Sequence, residues 1–122
     1  MEKDPNGLDS HTPGAKLDDG KIKMALMTRG FSHALQEVGR ITTYGAIKYS
    51  PNGWKKVPNG QARYEDALLR HLNKWQQGEE LDPDSFLLHL SHLAWNALAL
   101  LELTLEERNQ TNAKATPDPR RS

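Results

Sequence analysis

The sequence predicts an all-α fold, a compact bundle of three main helices completed by oligomerisation. Three observations carry this. Apolar residues recur at spacings of three and four in three separate segments. No segment alternates with a period of two, so no sheet is expected. The last of the three segments is apolar on nearly every side and therefore needs cover on nearly every side.

The 122 residues suffice for one compact domain. Residues 1–14 hold Pro5, Asn6-Gly7 and Pro13-Gly14 without periodicity and read as a disordered segment. Residues 109–122, with Pro117 and Pro119, read as a disordered tail. The folding unit is then 15–108. A polar loop over 15–21 is followed by a short helical piece around 22–27. The first main helix is expected over 31–49, with Phe31, Leu35, Val38, Ile41 and Gly45 at helical spacing. Pro51 ends it by driving Ser50 out of the helical region. Residues 54–60 form a loop. The second helix is expected over 62–77, with Tyr64, Ala67, Leu68, Leu72 and Trp75 as its apolar face and Gly78 as its stop. Asp82 and Pro83 look like a cap and first turn, so the third helix is expected from there to Arg108.

Composition narrows the function. There are no cysteines, which removes zinc-finger, thiol-nucleophile and redox readings. Lys and Arg number 16 and Asp and Glu 16, a balance that argues against a nucleic-acid partner. The stretch 86–105 is the one candidate membrane span by length. Its His89, Ser91, His92, Asn96 and Glu102 make a buried helix of a soluble protein the expectation instead. The opening Met1-Glu2-Lys3-Asp4-Pro5 has no apolar run of a secretory signal. A cytoplasmic protein is expected, with no membrane partner.

Chemistry concentrates in two polar stripes. Ser85, His89, His92 and Asn96 are spaced by four, three and four, within about 60° of one another on a helix. Each would cost roughly 1 to 3 kcal/mol if buried without a partner, so they must meet another stripe, a metal or a ligand. A satisfied core network is the plainer alternative. On the first helix His33, Glu37, Arg40, Tyr44 and Lys48 also share one face. They are either a solvated surface with a Glu37–Arg40 pair, or the stripe that faces the other. In the second case Glu37, His89 and His92 hold a divalent metal through carboxylate oxygen and imidazole nitrogen. Arg63, Asp66 and Arg70 on the second helix are either a surface ion pair or phosphate ligands. Lys16 and Lys21 flank Gly20 in a loop of the kind that clasps phosphate. Lys48, Asn52 and Trp54 mix cation, amide and aromatic as nucleotide contacts do.

Several motifs in order resemble a known family. They are Gly14-Ala15-Lys16-Leu17-Asp18-Asp19-Gly20-Lys21, Ala34-Leu35-Gln36-Glu37-Val38, Tyr44-Gly45-Ala46-Ile47-Lys48-Tyr49 and Asn52-Gly53-Trp54. Then come Arg63-Tyr64-Glu65-Asp66-Ala67-Leu68-Leu69-Arg70-His71-Leu72, Gly78-Glu79-Glu80-Leu81-Asp82 and His89-Leu90-Ser91-His92-Leu93-Ala94-Trp95-Asn96-Ala97-Leu98. Together they resemble the phage dATP/dGTP diphosphohydrolase (MazZ-like) family, distantly similar to MazG-type all-α nucleotide pyrophosphohydrolases. The resemblance implies an oligomer, a dimer or tetramer, with Mg²⁺ or Mn²⁺. It implies hydrolysis of a purine deoxynucleoside triphosphate to the monophosphate and pyrophosphate, in the host cytoplasm if the chain is phage-encoded. It also implies that the dGMP formed could feed 2-aminoadenine synthesis.

MazG-type enzymes hold magnesium with Glu-Glu-x-x-Glu on one helix and Glu-x-x-Asp on the next. The corresponding positions here are Gln36, Glu37 and Arg40, then His89 and His92, so only Glu37 is a carboxylate. Either Asp82 and Asp84 complete the site or the histidines do, and more imidazole favours Mn²⁺ or another transition metal. Glu37, Asp82, His89 and His92 are the expected ligands or water activators, with His71 a further ligand or base. Lys16, Lys21, Lys48, Arg63 and Arg70 are expected on the triphosphate, and Asn52, Trp54 and Asn96 on base or sugar. Two other functions fit the same residues: a nucleotide phosphohydrolase that cleaves a different bond, and a non-enzymatic helical scaffold whose stripes pair between subunits.

Overall fold

A computed structural model describes residues 2–113. Its helices are α1 (Met24–Gly30), α2 (Ser32–Lys48), α3 (Gly60–Gln76) and α4 (His89–Ala113), with one 3₁₀ turn at Gly53–Lys56. Among the described residues the only strand-like pairing is an isolated bridge between Leu81 and Leu88, so the all-α expectation holds. None of the described helices is long and apolar enough to cross a membrane.

The chain divides into two units, one up to Ser32 and one from His33 onward. In the first, Asp4 is buried and accepts from the backbone N–H groups of Asn6 and Lys16, each at 2.7 Å. These donors, Lys16 foremost, hold its carboxyl below the usual range. Lys21 pairs with Glu2 at 3.0 Å.

In the second unit α3 lies along α4, and the 3₁₀ turn packs against α3. The start of α3 approaches α4 closely. A Cβ on Gly60 would stand 3.3 Å from the Tyr64 ring and 3.6 Å from Leu103, so this contact favours glycine. Trp54, Tyr64 and Trp95 meet edge to face, with centroids 5.4 to 6.2 Å apart. The Tyr64 hydroxyl donates to the Trp54 carbonyl at 2.5 Å. This aromatic cluster seats the 3₁₀ turn on both helices.

The interior is thin. Among the described residues Ile41 and Ala99 are the buried apolar side chains, while His89, Ser91 and Asn96 are buried polar ones. Helix α2 does not pack lengthwise on α3 or α4, and Phe31 and Ile47 are largely exposed. The periodicity of α2 predicted a helix correctly, but of its apolar face only Ile41 is fully covered, while Val38 and Gly45 are half-buried and Phe31 and Leu35 exposed.

Helix α4 begins seven residues later than the sequence predicts. Asp82 does accept from Ser85, through its N–H at 3.0 Å and its hydroxyl at 2.9 Å, as a cap would. No helix follows, because Phe86 turns left-handed at φ 58°. The chain then pairs back on itself: the Asp82 N–H donates to the Leu87 carbonyl at 2.8 Å and the His89 N–H to the Glu80 carbonyl at 2.9 Å. At its other end α4 continues to Ala113, so 109–113 are helical; the rest of the expected tail lies outside the described residues.

Phe86 is three-quarters exposed, so little packing offsets its backbone strain. A non-glycine residue in this region costs about 1–2 kcal/mol. Replacing it by glycine raises the entropy of the unfolded chain, which takes back about 0.5–1 kcal/mol. Phe86→Gly is therefore expected to raise stability by roughly 0.5–1 kcal/mol in urea melts. Phe86→Val, β-branched at the same φ, is expected to lower it.

Candidate metal centre

The site stands where α3, the 77–88 loop and the start of α4 meet. Gly78, at φ 94°, reverses the chain after α3, and the Glu79 N–H donates back to the Lys74 carbonyl at 3.0 Å. That reversal brings Glu79 to His89: its Oε2 lies 2.7 Å from His89 Nε2. An ionised carboxylate only accepts, so Nε2 carries the proton. In neutral His89 the lone pair is then on Nδ1, which faces His71 Nδ1 at 2.8 Å.

His71 stacks on His92, with ring centroids 4.4 Å apart and planes 4° from parallel. His92 Nε2 lies 2.7 Å from the Ser85 hydroxyl and 3.7 Å from Asp82 Oδ2. One assignment satisfies every group: His92 Nε2–H and the Leu87 N–H donate to Ser85 Oγ, and Ser85 donates to Asp82. Asp82 Oδ2 is thereby fixed and Oδ1 is left for another partner.

The electrostatics follow from burial. Burial pushes the His71 imidazole down to about 4, with His92 and His89 adding to the fall and Asp82 opposing it. Burial lowers His92 too, against the pull of Asp82. Burial raises the Asp82 carboxyl, but the Ser85 hydrogen bonds, with the two imidazoles, more than offset this and leave it lowered. His71 and His92 are thus neutral near pH 7 while Asp82 is ionised, which is the state a cation requires of its ligands.

Ligand atoms of His71, Asp82 and His89 all lie within 4.8 Å of one another. The donor set suits a divalent transition metal. The carboxylate on the far nitrogen of His89 is the usual orienting partner of a metal-bound imidazole. Three protein ligands leave coordination positions for water or phosphate oxygen. The residues present therefore fit a divalent cation.

The model for the family described as "dATP/dGTP diphosphohydrolase, N-terminal" matches residues 11–113. The chain belongs to this family. It is also 28% identical over 108 residues to a curated dATP/dGTP diphosphohydrolase of Salmonella phage PMBT28, an overlap of 88% of this chain. The chain spans about a third of that relative, 33% of its length. No solved structure matches it.

The structure regroups the residues singled out from the family's motifs. His71, Asp82 and His89 come together, with His92 stacked behind them. Glu37 does not join them; it pairs with Arg40 at 3.0 Å on exposed α2. The expectation of two facing stripes is corrected accordingly. Side-chain partners of His89 and His92 come from α3 and the 79–85 loop, because α4 starts at His89 and leaves Ser85 in that loop. Asn96 uses its amide on the His92 carbonyl, at 2.8 Å. Trp54 is committed to the aromatic cluster, with Lys55 5.6 Å above its ring. Asn52 and Arg63 are exposed near the 3₁₀ turn, and Arg70 is exposed next to His71 in α3. Lys48 sits over Tyr44 and Tyr49 at 5.6 and 5.3 Å. Lys16 and Lys21 belong to the first unit.

Sequence spacing missed Glu79 as the orienting carboxylate. The helix stop at Gly78 was a signal for the turn, but not for where that turn delivers its next side chain.

Proposed function

We propose that this protein is a metal-dependent hydrolase of purine deoxynucleoside triphosphates, dGTP and dATP, giving the monophosphate and pyrophosphate. The observation that carries the reading is the convergence of His71, Asp82 and His89, in a chain of this family. The curated relative's name supports the substrate class. Where the genome contains 2-aminoadenine, the dGMP released would feed its synthesis.

His71, His89 and Asp82 would hold the cation, with Glu79 keeping the proton of His89 on Nε2. When bound, a divalent cation clamps phosphate oxygens and lowers the pKa of water. Ser85 holds Asp82 in place, and His92 supports the ring of His71 from behind. Arg70, exposed and next to His71 in α3, would take a phosphate oxygen and offset the charge of the departing pyrophosphate. The deciding assay offers dGTP, dATP, GTP, dCTP and dTTP with Mg²⁺, Mn²⁺ or EDTA, and separates products by ion exchange. Pyrophosphate and purine monophosphate formed only with metal support the reading. Release of phosphate or triphosphate would assign a different bond, and no turnover with any metal would overturn the enzyme.

A homo-oligomer is part of the same proposal. Ala94, Leu98, Leu101 and Leu105 follow a four-three-four spacing on α4, and the three leucines are 37 to 55% exposed. Such a seam pairs with another helix, and a second α4 offers one. The scaffold reading draws on this same seam. The double variant Leu98→Glu, Leu101→Glu is expected to sediment as a monomer where the unmodified protein does not. Equal sedimentation of both would remove the seam from the interface.

A further inference from the structure

We propose that the cavity beside His89, lined by Trp75, Gly78, Glu80, Leu88 and Leu90, takes a guanine base whose Watson–Crick edge is read by Glu80. This deepens the nucleotide reading above and rests on it.

The cavity measures about 270 Å³, enough for a fused two-ring heterocycle. Its position follows from the elements that build the metal centre. Trp75 lies four residues beyond His71 on the same face of α3, about 6 Å along the axis. Leu88 and Leu90 flank His89 in sequence, and the Glu80 carbonyl accepts the His89 N–H at 2.9 Å. The cavity is thus built on the same residues, Glu80 and the Leu88–Leu90 segment, that hold His89 in the metal centre.

The lining says which ligand fits. Trp75, Leu88 and Leu90 are apolar, and Glu80 is the only charged side chain. A phosphate group would meet a carboxylate and no cation here, so the lining does not suit the triphosphate. A flat aromatic ring suits Trp75, a residue that is 46% exposed and takes no part in the Trp54–Tyr64–Trp95 cluster. Among the described residues Glu80 has no ion-pair partner. Its two oxygens match two parallel donors. Guanine presents such a pair, N1–H and the N2 amino group. Adenine sets an acceptor, N1, beside its amino group, and would leave one carboxylate oxygen facing a lone pair. Glu80 thus separates the two purines, and Trp75 binds either.

Equilibrium binding of dGMP and dAMP in the presence of Mn²⁺ tests this without turnover. The unmodified protein is expected to favour dGMP by roughly tenfold or more, the discrimination of a bidentate base contact. Glu80→Gln should bring the two nucleotides within about threefold of each other, since one matched hydrogen bond is lost. Trp75→Leu should weaken both by a similar factor. Both variants should bind Mn²⁺ as the unmodified protein does, which shows them folded. An unchanged dGMP:dAMP ratio in Glu80→Gln, or no binding of either mononucleotide by the unmodified protein, would overturn the inference. A protein that binds dGMP through Glu80 yet hydrolyses no triphosphate would retain this base site and lose the proposed activity.

Discussion

His89→Gln is expected to weaken Mn²⁺ binding by at least roughly 100-fold, since orienting groups alone cost 10–100-fold when changed. His89 is 2% exposed and links both sides of the site, to His71 at 2.8 Å and to Glu79 at 2.7 Å. Its loss would remove a ligand of the proposed centre and the group that aligns the other imidazole. Glutamine keeps a polar side chain in the buried position, so the loss of metal is read apart from a loss of folding. Isothermal titration with Mn²⁺ gives the affinity, and urea melts in EDTA give the stability. Glu79→Gln is expected to fall between, about 10–100-fold weaker, because an amide can still accept from Nε2 without its charge. Glu37→Gln is expected to change affinity less than about twofold, since Glu37 meets Arg40 on an exposed helix. Retention of full Mn²⁺ affinity by His89→Gln would remove the assigned centre. A large loss at Glu37→Gln would return a ligand to α2.

The metal-free protein is expected to lose stability as the pH falls from about 6.5 to about 4. In the unfolded chain His71 takes a proton near its ordinary value of 6.5, whereas in the folded protein burial holds it to about 4. Between those values the unfolded state binds more protons, so stability rises with pH. The contribution is complete above 6.5 and declines through the window. It levels off below 4, where the folded protein also takes up the proton. His92, lowered by burial, acts in the same direction. The full His71 shift is worth about 3 kcal/mol, and solvent screening at this half-buried ring reduces it to roughly 1–2 kcal/mol. Asp82 adds a second decline at lower pH, since its depressed carboxyl stabilises the fold only while ionised. Urea melts in EDTA at pH 7.5, 6, 5 and 4 read this directly. In His71→Gln the part of the decline between 6.5 and 4 due to that ring should disappear. A stability flat across the window would contradict the burial of His71 and His92.

Much of the fold was legible because helices are local. Periodicity and the stops at Pro51 and Gly78 placed α2 and α3 to within two residues at each end. The start of α4 was not legible. Asp82 and Ser85 make the hydrogen bonds of a cap, and sequence spacing does not show that Phe86 then turns left-handed. A cap signal reports local donors and acceptors, and the bridge from Leu81 to Leu88 overrides it through non-local pairing.

The candidate site shows the same division. Spacing marked His89, His92 and Ser85 as polar groups that needed partners, since burying them alone is costly. It placed those partners on α2, where the carboxylate of Glu37 offered the nearest match in pattern. The sequence by itself determined the helical class, the positions of α2 and α3, and that His89, His92 and Asn96 are polar groups in need of partners. Each of these depends on residues within a turn or two of one another. Only the tertiary structure decided that His71 of α3, Asp82 and Glu79 of the loop, and His89 of α4 meet at one point. That choice is made by the α3–α4 contact and the reversal at Gly78, which join residues up to 18 positions apart. Helical periodicity fixes which face a side chain occupies, but the helix that covers that face is selected by packing.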